Sequence, residues 1–261
     1  MESITFTVFT KPWNVPLSEL AQFVKKLGFD GVELPVRPGF QVSPDNVTQG
    51  LAEAVRVFRD HGLKIGTVAA GTDERTIAAC GDCGIPVIRI CVGIPQEKNY
   101  LTAIADIQRQ WDTLIPLLER YGVAIGVQNH CDRCIANAMQ LHHAIAKYDP
   151  KHICAVWDAA HNALDGEMAD IALDTIWSHL RIVNLKNAYW RRTNGPEAEY
   201  AIWATYWTTG RRGRANWPGV ADELKKRRFT GDVCLTAEYS DHAAVDRLIA
   251  EDIAFAKSLF K

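Results

Sequence analysis

A chain of 261 residues with 48% hydrophobic content carries enough apolar material for one large core, a length that suits one α/β barrel as well as two small domains. A formal charge of −2 and a pI near 6.4 create no overall field that would concentrate a nucleic acid or an anionic membrane. There is no run of about 18 apolar residues, and Met1-Glu2-Ser3-Ile4-Thr5-Phe6 lacks a basic lead before an apolar stretch, so neither a membrane span nor an export leader is expected.

Apolar, β-branched runs recur along the chain at Ile4 to Phe9, Gly31 to Val36, Lys64 to Ala69, Val87 to Val92, Ala124 to Val127, Ile153 to Trp157, Arg181 to Leu185 and Asp232 to Ala237. Helical periodicity fills the gaps, as in Leu17, Leu20, Phe23, Val24 and Leu27, then Leu51, Val55, Val57 and Phe58, with Gly28 and Gly62 placed as helix stops. The fourth helical segment, Tyr100 to Tyr121, contains Pro116, which predicts a kink or break. Asp165, Asp170 and Asp174 fall on the sixth segment, and Asp241 stands as an N-cap before Ala243 to Phe260. Eight strands alternating with helices predict a parallel sheet, and eight units in this length predict one domain over residues 1–261, a single (β/α)8 TIM barrel. A doubly wound sheet would carry a glycine-rich phosphate loop after its first strand; here Thr10-Lys11-Pro12-Trp13 follows instead.

Seven cysteines, an odd number in a chain this long, fit reduced thiols and a cytoplasmic location better than a disulfide framework. Cys80-Gly81-Asp82-Cys83 and Cys131-Asp132-Arg133-Cys134 have the spacing of two half zinc sites, but a barrel puts a helix end and a strand end on opposite rims. Packing and loop thiols are the simpler reading.

Polar groups gather where strands end. Gln128-Asn129-His130, Asp158-Ala159-Ala160-His161, Asn184-Leu185-Lys186-Asn187 and Glu238-Tyr239-Ser240 each close an apolar run, and the carboxyl ends of barrel strands are where such enzymes do their chemistry. The seventh connection, Ala188 to Asn216, is a long loop holding Trp190, Tyr200, Trp203, Tyr206 and Trp207 beside Arg191, Arg192, Arg211, Arg212 and Arg214. Aromatics beside arginines suit sugar stacking or an anion grip, and equally a lid packed on the barrel or a subunit contact; the two readings are compatible.

In order and spacing these motifs, with Gly28-Phe29-Asp30-Gly31-Val32-Glu33 entering the second strand, resemble the xylose-isomerase-like barrels: sugar isomerases and epimerases, dehydratases and an apurinic endonuclease. The resemblance spans nearly the whole chain. It implies a divalent ion (Mn, Mg or Zn) held by Glu, Asp, His and Glu from strands five to eight, positions occupied here by Gln128, Asp158, Asn184 and Glu238. Two of these are amides, which implies weaker metal binding. Family epimerases use two metal-bound glutamates as opposed bases, and Gln128 cannot be a base.

The resemblance therefore implies a sugar isomerase or epimerase working by proton transfer α to a carbonyl, with Glu238, Lys186 and His161 as catalytic residues and metal assistance. Glu33, Trp13, His130, Asn187, Arg191 and Arg214 are the expected substrate contacts. A metal-independent or weakly metal-dependent lyase or dehydratase, or a non-catalytic carbohydrate-binding barrel, are the alternatives. Abasic-site DNA cleavage would need more carboxylates and histidines at the strand ends than this chain has. The expected partner is a small carbohydrate, with no nucleic acid and no membrane, and relatives of this kind are often homo-oligomers.

Overall fold

Strands β1 (Thr5–Phe9), β2 (Gly31–Pro35), β3 (Lys64–Ala69), β4 (Val87–Cys91), β5 (Ala124–Gln128), β6 (Ile153–Asp158) and β7 (Leu180–Leu185) lie in one parallel sheet. An antiparallel hairpin of β8 (Asn187–Arg192) and β9 (Trp203–Thr208) intervenes before β10 (Asp232–Leu235), which pairs with both β7 and β1 and so closes an eight-stranded barrel. The computed structural model describes residues 4–261; Met1 to Ser3, at the head of the segment read as leaderless, lie outside the described residues. Among the described residues no helix is long and apolar enough to cross a membrane.

The eight predicted strands are the eight barrel strands. They read as nearly continuous apolar runs because both faces are covered, one by the barrel interior and one by helices. Those helices are α1 (Leu17–Leu27), α2 (Val47–Asp60), α3 (Glu74–Asp82), α4 (Tyr100–Tyr121), α5 (Ala138–Ile145), α6 (Ala159–Leu164), α7 (Ala169–Ile176), α8 (Trp217–Lys226) and α9 (Val245–Leu259). Each buries one stripe, such as Leu20, Ala21 and Val24 of α1 or Leu51, Ala54 and Phe58 of α2. Gly28 ends α1 in the left-handed region at φ 88°, as its place in the sequence predicts. Asp73, Asn99 and Asn137 cap α3, α4 and α5 by accepting from backbone N–H groups.

Five expectations need correction. The seventh connection is not a loop: β8 and β9 pair over six residues, from Asn187 opposite Thr208 to Arg192 opposite Trp203, because alternating aromatics make good cross-strand partners. The sixth helical segment is two helices, with Asp165 closing α6 while Asp170 and Asp174 lie on α7. Pro116 lies inside an uninterrupted α4, whose stripe of Ala103, Ile104, Trp111 and Leu118 stays buried across it. Asp241 precedes a short 3-10 turn, His242–Ala244, and its side chain makes no capping bond. The last strand stops at Leu235, two residues early, because Ala237 turns into the left-handed region at φ 52°.

All seven cysteines are free, with Cys80 and Cys83 at the end of α3 and Cys131 and Cys134 beyond β5. Inside the barrel, Phe9, Ala69, Val87, Ala124, Cys154, Val156, Ile182 and Cys234 form one apolar cluster. Gly126 shares this interior because a Cβ there would stand 2.7 Å from a Val156 methyl and 2.8 Å from one of Val87. Both valines are fully enclosed, so Gly126→Ala is expected to cost about 1–3 kcal/mol, read as a lower urea midpoint with an unchanged slope.

Candidate active site

A buried arginine organises one side of the barrel mouth. Arg89 on β4 pairs with Glu33 in the middle of β2, and its Nη1 donates to Gln128 Oε1 at 2.6 Å. With its carbonyl spent on Arg89, the Gln128 amide must turn its Nε2 toward Asp158, donating to Oδ2 at 2.9 Å. Asp158 Oδ1 in turn accepts the backbone N–H groups of Ala160 at 2.9 Å and His161 at 3.1 Å, so the last residue of β6 caps α6. Burial pushes the Asp158 carboxyl up, while the Lys186 charge pulls it back toward ionisation. Asn129 clamps the same residue by accepting from its N–H at 2.7 Å and donating to its carbonyl at 3.1 Å.

The other side centres on Glu238, the residue after the left-handed Ala237. Its Oε2 accepts from Lys186 Nζ at 2.5 Å and its Oε1 from Lys11 Nζ at 2.7 Å. Burial alone would push this carboxyl up, but the Lys186 and Lys11 ammoniums hold it down at about 2. Lys186 is itself roofed by the Trp207 indole, 3.6 Å from the ring centroid. Trp207 comes from β9 and is stitched to the Glu238 segment by reciprocal bonds with Ser240, at 2.9 and 3.0 Å. Asp252 on α9 fastens the hairpin's end, accepting from Gly210 N–H at 2.9 Å and the Tyr239 hydroxyl at 2.8 Å.

His161 lies between the two sides. Its ring stacks on His130 at 4.0 Å and meets Trp207 edge-on at 5.2 Å. The Cys131 N–H donates to Nδ1 at 3.0 Å, so in the neutral ring the proton sits on Nε2, and burial with the nearby Lys186 charge holds the ring well below its ordinary pKa. His161 is thus a neutral donor from Nε2, which lies 3.9 Å from Asp158 Oδ2. Among the described residues, Nε2 of His161 and both side-chain polar atoms of Asn184 are buried without a partner. Asn184 pairs in register with Asp158 across β7 and β6, so this hydrogen-bonding capacity clusters beside one carboxylate. Buried polar groups left this way cost about 1–3 kcal/mol each, a standing drive to take up a polar ligand.

Of the residues singled out in the sequence, Gln128, Asp158, His161, Asn184, Lys186 and Glu238 are buried or nearly so at or just past the strand ends, Glu33 is buried in the middle of β2, and His130 is half-buried against His161. Four expected contacts make other bonds. Asn187 donates to the carbonyls of Gly210 and Ala215 and accepts from two backbone N–H groups, so its amide is spent as a clip for the hairpin. Trp13 donates to Asp246 at 2.7 Å and packs on Phe23, clasping α1 to α9. Arg191 stacks over Tyr206 on the hairpin, and Arg214 donates to the Ala163 carbonyl at 3.2 Å.

Sequence reasoning missed Arg89 and Lys11. A lone arginine in the apolar run Val87-Ile88-Arg89-Ile90-Cys91 was a readable signal, because arginine is almost never buried unless paired. Lys11, in a polar stretch after β1, carried none.

The metal quartet implied by the resemblance does not fit this donor set. Gln128 Oε1 is committed to Arg89, both oxygens of Glu238 hold ammoniums, and both of Asp158 accept donors. Arg89, Lys186 and Lys11 already balance Glu33, Asp158 and Glu238, so a divalent ion would enter an already neutral cluster beside three cations. A second group, His130, Cys131 and His161, brings its potential ligand atoms within 4.8 Å of one another. There the Cys131 N–H already occupies His161 Nδ1, and burial with the Asp132 charge pushes the Cys131 thiol up to about 12.

The family model described as xylose isomerase-like TIM barrel matches residues 21–259. No curated protein matches in sequence. Among solved structures, the apo 3-keto-D-glucoside 4-epimerase of E. coli superposes with a TM-score of 0.73 at 14% identity, over 98% of this chain and 100% of that one. D-psicose 3-epimerase of Clostridium cellulolyticum H10 gives 0.70 at 13% identity over 98% and 99%. Mannonate dehydratase of Streptococcus suis serotype 2 gives 0.71 at 14% identity over 100% and 94%. At these identities the likeness is one of fold.

Removing Arg89 strands a buried carboxylate, so Arg89→Met is expected to cost about 3–5 kcal/mol in urea unfolding, and adding Glu33→Gln to recover much of it. Asp252 yields a pH dependence. Burial raises its carboxyl to about 6, while the Gly210 N–H and Tyr239 hydroxyl oppose the shift. Its folded pKa exceeds the unfolded one, so the folded protein keeps a proton that the unfolded chain has released between pH about 4 and 6. Its contribution to stability is therefore full below that window and lost as pH rises through it, on the order of 2–3 kcal/mol. Wild type should lose stability relative to Asp252→Asn across that range in chemical denaturation.

Proposed function

We propose that this chain, which belongs to the xylose isomerase-like TIM barrel family, is an enzyme that moves the proton next to the carbonyl of a small carbohydrate, as an isomerase with Glu238 as its single base. The observation that carries the reading is the Glu238 carboxylate held between Lys186 and Lys11, with the neutral donor His161 packed on the same Trp207 that covers Lys186. An epimerase and dehydratases among proteins of the same fold support an enzyme on sugars or sugar-derived ketones.

In the resting state Glu238 is too well stabilised to be a strong base. A substrate carbonyl oxygen that takes the Lys186 ammonium away from it changes both groups at once: the lysine becomes the electrophile and the carboxylate gains proton affinity. Glu238 then takes the α proton, the C–H pair becomes the C=C of an enediol, and the carbonyl pair moves to oxygen, which receives a proton from Lys186. The return is symmetric. Glu238 gives its proton to the neighbouring carbon while the Lys186 amine takes one from the other hydroxyl, leaving the isomeric carbonyl compound and both groups as they began. His161 Nε2–H and the Asn184 amide hold the substrate oxygens in place, and Trp207 shields the lysine from water.

Gln128 favours a second reading. It stands where a second carboxylate would be needed to return a proton to the opposite face, so two-base epimerisation lacks its partner while elimination does not. If Lys186 only hydrogen-bonds the oxygen and keeps its proton while Glu238 takes the α proton, the resulting enolate re-forms the carbonyl and expels a β-hydroxyl, which leaves as water with the Lys186 proton; the product is an unsaturated carbonyl compound and the enzyme a dehydratase. Sugar binding without any proton exchange would instead mark a non-catalytic barrel.

Incubating the protein in D2O with aldoses, ketoses and their acid and phosphate derivatives should place deuterium at the α carbon of one of them. Glu238→Gln should lower that exchange by about 10²–10⁴-fold with its circular dichroism unchanged. Because the donor set does not fit a divalent ion, exchange should survive chelator, and titration with manganese should show no stoichiometric binding. Chelator-sensitive exchange or one tightly bound manganese per chain would overturn the metal-free form.

A further inference from the structure

Glu238 offers one negative charge to two ammoniums, and the two are not equivalent. Lys186 lies inside with its side chain 5% exposed under Trp207, whereas Lys11 approaches from the mouth with its side chain 44% exposed. Just past the end of the neighbouring β2, the half-buried Arg37 lays its guanidinium at 5.8 Å over the ring of Phe9, two residues before Lys11, and Arg89 approaches the same ring at 4.8 Å. Among the described residues Arg37 pairs with no carboxylate. Lys11, Arg37, Arg89 and Lys186 thus set four cations against the three carboxylates of Glu33, Asp158 and Glu238. Asp132 and Arg133, side by side on the loop beyond β5, bring opposite charges that leave this excess standing.

We infer, building on the proton-transfer reading above, that Lys11 and Arg37 recognise an anionic group, a carboxylate or a phosphate, on the non-reacting part of the carbohydrate, and that Lys11 leaves Glu238 for that anion and so frees the base. Exchanging one anion for another keeps the exposed ammonium paired. Withdrawing it from Glu238 raises the proton affinity of a largely enclosed carboxylate. Binding energy from a remote part of the substrate is thereby converted into base strength, which raises kcat as well as lowering KM. A neutral sugar leaves Lys11 in place and the base weak.

The test compares D-fructose, D-fructuronate and D-fructose 6-phosphate as probes, by calorimetry and by α-deuterium exchange. One of the anions should bind at least about tenfold tighter than fructose, about 1.4 kcal/mol, and exchange faster at saturation, with the affinity gap shrinking in high salt. Which anion wins separates a carboxylate site from a phosphate site. Lys11→Met should erase the difference in saturating rate and move the acid limb of the exchange profile to higher pH, because Glu238 then answers to one cation. Arg37→Met should raise KM for the anion and provides an independent variant should Lys11→Met fold poorly. Equal affinity for all three probes, no binding of either anion in the millimolar range, or a Lys11→Met protein that keeps the full gap would each overturn the inference. Exchange on fructose without anion preference would remove this inference and leave the proton-transfer reading standing; anion-selective binding without exchange on any probe would remove that reading and the release of the base with it, leaving anion recognition by Lys11 and Arg37.

Discussion

The rest of this candidate site depends on a guanidinium buried inside a closed barrel. Arg89 cannot shed its charge, so the strands around it must supply acceptors, and Glu33 and Gln128 do. From that constraint the arrangement propagates by hydrogen-bond direction alone. The Gln128 carbonyl faces Arg89, its amide therefore faces Asp158, and the remaining Asp158 oxygen caps α6 and sets the backbone from which His161 projects. Each group has one orientation because its neighbour has already used the other.

A second constraint comes from outside the barrel. The hairpin places Trp207 over Lys186, and three devices hold it there: the Asn187 clip at its start, the Ser240 stitch at its end, and Asp252 beneath Gly210 and Tyr239. An indole face over an ammonium is attractive and also excludes water, which strengthens the Lys186–Glu238 pair it covers. Of the aromatic residues of this segment, Trp207 covers the buried lysine, while Tyr189 and Tyr206 face each other across the hairpin itself.

The amides at 128 and 184 and the lysines around Glu238 belong to one change of charge. A quartet with an extra carboxylate and an imidazole suits a doubly charged ion. With Gln128 and Asn184 instead, the mouth holds three carboxylates, and Arg89, Lys186 and Lys11 neutralise them from within the chain. The positive charge beside Glu238 is an ammonium, in a place where burial and an aromatic roof make it effective.

The sequence by itself determined the barrel. Eight apolar runs alternating with amphipathic segments admit few other architectures, and Gln128, Asp158, Asn184 and Glu238 at their ends showed where polar side chains must converge, because strand-end position is a local property of a parallel sheet. Only the tertiary structure decided what those groups do. Arg89 meeting Glu33, Lys11 meeting Glu238 and Trp207 covering Lys186 join residues 56, 227 and 21 positions apart. Asn187 looked like a substrate contact by position and is a hairpin clip by its four bonds. A side chain's partners are set by closure of the barrel and by the pairing of β8 with β9, both of which are long-range events, and the protonation state of each titratable group follows from those partners and from its burial.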